Sequence, residues 1–271
     1  MKTLQALALL FTPVLAYGFQ EKPWMGEVWC CEFNADFTYS RYREVEGAVK
    51  QMRSASNDKV ETFDLTLIPS SCLDVQFELE FADTPRESFG LRSAAIQGRY
   101  LWMNDVAGDP LSWTTGLSAR KVTRRSLKDV STPYHSEVNI ELNSAFGKEW
   151  CERAFWTTHL WGLMGVGIAN HGSAWLRALA VYEKNWNDRH RLGFYAEGYF
   201  GFGSKQHVFI NHFNGWGEFH HQSIDVGALY RYHTDTWGEW TLAYTRRVFA
   251  HVFPQNVNFF TIAYNLPFSF F

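Results

Sequence analysis

Long apolar runs are the first thing this 271-residue chain lacks. Beyond the N-terminal leader it contains no run of about 18 apolar residues, so no membrane-crossing helix is expected. Mean hydropathy is −0.26, whereas a helical membrane protein would be strongly positive. An excess of basic charge is also missing. The chain carries 25 Lys and Arg against 28 Asp and Glu, a net charge of −3 at pH 7. A nucleic-acid binder would be basic, so nucleic acid is not an expected partner. Cysteine is sparse: Cys30, Cys31, Cys72 and Cys151. They form no C-x-x-C pair, which removes the usual cysteine metal site. None follows the leader, which argues against a lipid-anchored N-terminus. In an oxidising compartment these thiols can pair, and the sequence leaves the pairing open. Cys30 and Cys31 are neighbours on opposite faces of one segment, and Cys72 and Cys151 fall in expected turns. No motif implies a cofactor.

The leader itself reads MKTLQALALLFTPVLAYGF. Lys2 is a short basic region, Leu4 to Leu15 an apolar core, and Ala16 to Gly18 offer small residues for cleavage. This is the pattern of a secretory signal peptide over 1–18. A membrane anchor needs about 20 apolar residues, and this stretch is shorter and interrupted by Pro13. Residues 19–271 then form one domain.

What the chain has in abundance is aromatic side chains, 17% of residues, set in strict alternation. From Trp29 to Arg41 the odd positions Trp29, Cys31, Phe33, Ala35, Phe37 and Tyr39 are mostly apolar. The even ones, Cys30, Glu32, Asn34, Asp36, Thr38 and Ser40, are mostly polar. Period two is a β-strand with one apolar and one polar face. The same pattern recurs in Leu73–Phe81 and Ser136–Leu142, and again along 192–202 and 224–232. We expect about twelve strands: 25–43, 59–68, 73–82, 89–102, 111–121, 134–145, 153–168, 174–186, 190–203, 221–233, 237–249 and 257–271. The seventh and eighth are apolar on both faces, and a buried helix is their rival reading. With this count the connections alternate between long and short ones. Trp24, Trp29, Trp102, Trp113, Trp175, Trp186, Trp237 and Trp240 cluster at expected strand ends, where interfacial rings sit.

The last segment alternates from Phe260 through Ile262, Tyr264, Leu266 and Phe268 to Phe270, and ends on an aromatic. It resembles the closing strand of Gram-negative outer-membrane β-barrels, although Phe271 is one residue beyond the register and Pro267 lacks a ladder donor. The resemblance implies an all-β fold: a transmembrane antiparallel β-barrel closed by its N- and C-terminal strands. It also implies outer-membrane localisation, insertion by the barrel assembly machinery, and contact with outer-membrane lipids and lipopolysaccharide. In such a barrel the apolar faces meet lipid and the polar faces meet the lumen.

Strand phase then assigns Glu32, Asp36, Asp74, Glu78, Glu80, Glu137, Glu141, Glu197, Asp225 and Glu239 to the lumen, with Arg177, Arg231, Arg247, His159 and His233. Acids outnumber bases, which suits a narrow passive channel for small polar or cationic solutes. The alternative is a barrel plugged by paired charges, with a structural or surface role. A third reading is enzymatic. His171 and Ser173 stand one residue apart at an expected outer rim, similar to the His-x-Ser of outer-membrane phospholipases and lipid A deacylases. There His activates Ser against an acyl ester. The matching third residue would be Asn185, but an unbroken strand carries it roughly 30 Å away. In the long connection after residue 203, His207, His212, His220 and His221 allow a metal patch or a pH-gated lid, or simply a loop folded over the mouth. The basic run Arg120, Lys121, Arg124, Arg125 and Lys128 is placed for lipopolysaccharide phosphates.

Overall fold

The structure is a computed structural model that describes residues 21–49, 54–152, 155–234 and 237–269. The leader at 1–18 and the terminal Phe270 and Phe271 lie outside the described residues. Twelve strands form a closed antiparallel barrel in which each strand pairs with its sequence neighbours. They are β1 (Cys30–Tyr42), β2 (Ser56–Ser70), β3 (Leu73–Asp83), β4 (Gly90–Met103), β5 (Ser112–Val122) and β6 (Val138–Glu152). The second half comprises β7 (Phe155–Ala169), β8 (Trp175–Trp186), β9 (His190–Gly201), β10 (Gln222–Thr234), β11 (Gly238–His251) and β12 (Asn258–Ser269). β12 closes onto β1 from Cys30 opposite Ser269 to Arg41 opposite Asn258. A two-residue ribbon pairs Glu44–Val45 with Pro254–Gln255 above that seam.

Closure leaves no edge strand, and the period-two pattern decides what each face meets. The exposed large side chains form an apolar outer surface that includes Phe77, Leu79, Ile96, Leu142, Met164 and Phe194. Water would not tolerate so large an apolar surface on a monomer, so the barrel spans a membrane. The connections at one end, 43–55, 84–89, 123–137, 170–174, 202–221 and 252–257, include the three longest. Those at the other end are 71–72, 104–111, 153–154, 187–189 and 235–237. In outer-membrane barrels long loops face outward and short turns face the periplasm, which defines the outer and inner ends here. One inner turn shows why it is tight: Asn187 and Asp188 both take positive φ, 55° and 56°. That conformation is one Asn and Asp tolerate.

An aromatic belt rings the inner end. Tyr100 and Trp102 lie 4.6 Å apart, Trp102 and Trp113 5.7 Å, and Trp113 and Phe146 5.8 Å, all between ring centroids. Two of the tryptophans expected in such a belt are elsewhere. Trp175 is 4% exposed inside the barrel, because it shares the inward phase of Arg177. Trp24 precedes β1 and lies inside with the N-terminal segment.

That segment is the main departure from the expected strand order. The first strand begins at Cys30 rather than 25, and residues 21–26 run up into the lumen. Their backbone is satisfied by the walls: Arg99 Nη1 donates to the Lys22 carbonyl (2.6 Å) and Thr114 Oγ1 to the Pro23 carbonyl (2.7 Å). The Trp24 indole donates to Asp105 (2.9 Å), and its ring stacks on His159 at 4.2 Å. Gly147 makes room, since a Cβ there would sit 2.6 Å from Pro23. The segment also explains why the seventh and eighth strands are apolar on both faces. Their inward Trp161, Leu163 and Val181 pack with Ala145 and Trp24 instead of facing water. Both are strands, not helices. The sixth strand is shifted from 134–145 to Val138–Glu152, so Cys151, expected in a turn, lies within it. All four cysteines are free thiols.

Candidate functional site: lumen and outer lid

From the inner end the lumen opens as a vestibule of about 480 Å³ beside the N-terminal segment. Glu32, Asn34, Arg191, Arg231, His233 and Glu239 are among its polar lining. Around and above it lies a belt of ion pairs. Arg99 Nε donates to both Asp74 oxygens at 3.1 Å. Arg120 pairs with Glu78 and lies 3.8 Å from Glu80, which is 3.3 Å from Arg92. Arg177 collects Glu21, Glu141 (2.9 Å) and Glu197 (3.5 Å). Arg231 joins Glu183 and Glu239 (3.6 Å). Arg247 makes a bidentate contact with Asp225 at 2.7 and 2.8 Å. Two smaller cavities of about 80 and 60 Å³ remain among these charges, the first reaching the outer Phe253 and Pro254.

Glu32, Asp36, Glu78, Glu80, Glu141, Arg177, Glu197, Asp225, Arg231, Glu239 and Arg247 thus all face the interior. Sequence phase missed several partners. Arg99, Glu183 and Arg191 follow the inward phase of their strands and were legible there. Arg92 was not, because a register shift between Glu80 and Phe81 disturbs the local alternation. These arginines neutralise much of the expected acid excess. What remains is concentrated on the β1–β3 wall. Asp36 is 4% exposed and stands opposite Thr62. Across the same wall Asp64 accepts from Asn34 at 3.1 Å.

Arg120, expected on the outer rim with the basic run, instead points into the barrel. It shares the inward phase of Ser112 and Thr114, whereas Lys121 takes the opposite face. Lys121 and Arg124 reach Glu137 at 2.8 and 2.5 Å, and Arg125 lies 3.5 Å from Glu87. Lys128 is exposed. Glu137, expected in the lumen, precedes β6 and sits on the outside with these bases. Two of them hold its carboxyl below the usual range, by direct hydrogen bonds from Lys121 and Arg124.

The outer mouth is closed by a lid with its own apolar core. Tyr42 at the end of β1, Val45 from the first outer connection, Val130 from the third, Phe213, Trp216 and Phe219 from the fifth, and Phe253 from the sixth are part of one cluster. Trp216 is fully buried, and its indole donates to the Thr132 carbonyl at 2.9 Å. The fifth connection therefore folds over the mouth. His207 and His212 are exposed, and His220 is half-buried with its ring 6.0 Å from that of His251. Only His221 is buried. Among the described residues no three His, Cys, Asp or Glu side chains are grouped to hold a metal ion. Ser173 is committed to the lid: its hydroxyl donates to the Gly217 carbonyl at 2.9 Å, and its amide to the same oxygen at 2.6 Å. His171 is exposed beside it. Asn185 lies at the inner end, donating to the Trp156 carbonyl at 2.8 Å.

No protein-family model matches the chain, and no curated protein matches it. Solved structures do. The COG4313 outer membrane channel from Pseudomonas putida F1 superposes with a TM-score of 0.69 at 10% identity, covering 92% of this chain and 99% of that one. The NanC porin gives 0.53 at 8%, covering 84% and 97%. The translocator domain of autotransporter NalP from Neisseria meningitidis gives 0.51 at 10%, covering 99% and 94%. The shared property is the fold. This is an outer-membrane β-barrel architecture. Because channels, porins and a translocator domain all use it, the lumen rather than the fold must carry the functional argument.

Proposed function

We propose that the protein is a narrow passive channel of the outer membrane for small polar solutes, with a preference for cations. The conformation described is closed by the lid at the outer end, and the N-terminal segment narrows the lumen at the inner one. The observation that carries this reading is the polarity of the interior. A purely structural barrel can fill its lumen with apolar side chains, whereas this one lines it with charge, keeps a 480 Å³ vestibule and carries the buried acids Asp36 and Asp64 on its β1–β3 wall. The likeness to channel and porin folds supports the same reading. The test is conductance in planar bilayers across a potassium chloride gradient. Stable openings with a cation-selective reversal potential are expected. A Glu32→Gln substitution, on the vestibule lining, should lower that selectivity. Silence from both the full chain and a variant lacking residues 19–26 would select the alternative, a plugged structural barrel, for which the ion-pair belt is the favouring observation.

We further propose that Lys121, Arg124, Arg125 and Lys128, near the outer end of the barrel, contact lipopolysaccharide phosphates. Replacing all four with Gln should weaken retention of lipopolysaccharide by the purified barrel.

A further inference from the structure

The lid contains a pair of buried imidazoles that neither the channel reading nor the ion-pair belt uses. His135 comes from the third outer connection, and His221 closes the fifth, immediately before β10. Their Nε2 atoms are 3.1 Å apart. His135 is 2% exposed and His221 fully buried. Each ring is clamped by an aromatic: His135 stacks on Trp175 at 4.3 Å and 11°, His221 on Phe253 at 4.9 Å and 19°. His135 Nδ1 is 3.0 Å from the Tyr199 hydroxyl, which reaches the Pro133 carbonyl at 3.3 Å. The backbone follows the same join, with the amides of Gly215, Trp216 and Gly217 donating to the carbonyls of Leu127, Tyr134 and His135.

We propose that the His135–His221 contact is an acid-released latch that holds the third, fifth and sixth outer connections together over the mouth. The hydrogen-bond chemistry is restrictive. Two Nε2 atoms at this distance need one proton between them, so one ring donates and the other accepts. The arrangement with fewest stranded donors runs His221 Nε2–H to His135 Nε2, His135 Nδ1–H to the Tyr199 oxygen, and Tyr199 O–H to the Pro133 carbonyl. It leaves only the bare lone pair of His221 Nδ1, which has no partner. A proton on His135 Nε2 forces His221 into its Nδ1–H tautomer, which leaves a buried cation and strands that N–H, for which no partner is found among the described residues. A proton on His221 Nδ1 places an unpaired cation in an apolar core.

The surrounding charges do not offset this. On the His135 side the nearest acid is Glu141 of β6, which accepts from the Trp175 indole at 3.0 Å and pairs with Arg177 of β8. On the His221 side stand Arg247 of β11, already bound by Asp225, and the neighbouring His220. Tyr199 of β9 faces both rings, and the sixth connection offers only Phe253. Burial pushes the His135 imidazole down to about 3, and burial with the adjacent His135 and Arg247 holds His221 well below its ordinary value. An open lid returns both to the ordinary histidine value of about 6.5. The closed state therefore has its full stability above that value and loses it as pH falls toward 3. At pH 5 a single imidazole shifts the closed-to-open ratio by about 30-fold.

The latch is tested by hydrogen exchange on the full chain in detergent, corrected for the intrinsic pH dependence of exchange. The amides of Gly215, Trp216 and Gly217 should be protected at pH 7.5 and lose about 30-fold or more of that protection by pH 5. The His135→Gln/His221→Gln double variant should abolish the pH response and each single variant should weaken it, while His220→Gln and His251→Gln, half-buried imidazoles at the same mouth, should retain it. Protection in the unaltered protein that stays constant down to pH 4 would overturn the proposal. So would a response lost in the His220 or His251 variants. These arms decide the matter even if a latch variant fails to fold. Exchange rather than current is the readout, so a barrel that never conducts leaves the latch intact.

Discussion

Replacing Arg99 measures how dry the lumen is. Arg99 and Asp74 are 2% and 1% exposed, and the guanidinium engages both carboxylate oxygens at 3.1 Å. At that separation and an effective dielectric of about 20 the attraction is about 5 kcal/mol. Arg99→Met leaves a buried carboxylate without its cation, which costs about 3–5 kcal/mol. Asp74→Asn strands the guanidinium, at about 3 kcal/mol by the same reasoning. The double variant places two neutral groups of similar size together and should cost only about 1–2 kcal/mol, since matched neutral replacements of buried ion pairs are often well tolerated. The coupling energy from the cycle should thus exceed about 3 kcal/mol. The assay is a urea titration in lipid vesicles, with the folded fraction read from gel mobility. A coupling below about 1 kcal/mol, typical of solvated pairs, would refute the reasoning and show that water fills the belt.

Other perturbations follow from contacts already described. A Cβ on Gly167 would lie 2.0 Å from the Trp175 ring, so Gly167→Ala should destabilise the barrel by about 1–3 kcal/mol and displace Trp175, seen as a change in near-ultraviolet circular dichroism. Ser173→Ala removes a bond to Gly217 and should weaken protection of the fifth connection by about 1 kcal/mol in hydrogen exchange; loss of a lipase activity in that variant would instead revive the hydrolase reading. Trp24→Ala removes the ring stacked on His159 and should raise unitary conductance at neutral pH; an unchanged conductance would separate the N-terminal segment from gating.

Much of this fold is legible in the sequence because a barrel wall is written locally. In Leu73–Phe81 each side chain declares its face, and β3 (Leu73–Asp83) is found where the alternation places it. The same rule identifies Glu78, Glu197 and Asp225 as interior residues. It also fixes Arg120 as interior, once phase is given priority over its basic neighbours. Where non-local packing decides, the pattern is silent. Trp161 and Leu163 face inward because a segment more than a hundred residues earlier lies against them. Arg92 is turned inward beside an irregularity in register that no period reveals. Most of the lid is of this kind: His135 and His221 meet although 86 residues apart, and nothing local marks either as a partner of the other.

The seam between the first and last strands is not uniform. At its outer end the Glu44–Val45 and Pro254–Gln255 ribbon fastens the two flanking loops together, reinforced by the Glu46 amide on the Phe253 carbonyl at 2.9 Å. At its inner end the pairing stops at Cys30 opposite Ser269, with no second ribbon there among the described residues. A zipper clasped only at the top parts from below. Mechanical or chemical stress on this cylinder should therefore begin at the periplasmic rim, where the two ends of the polypeptide first let go of one another.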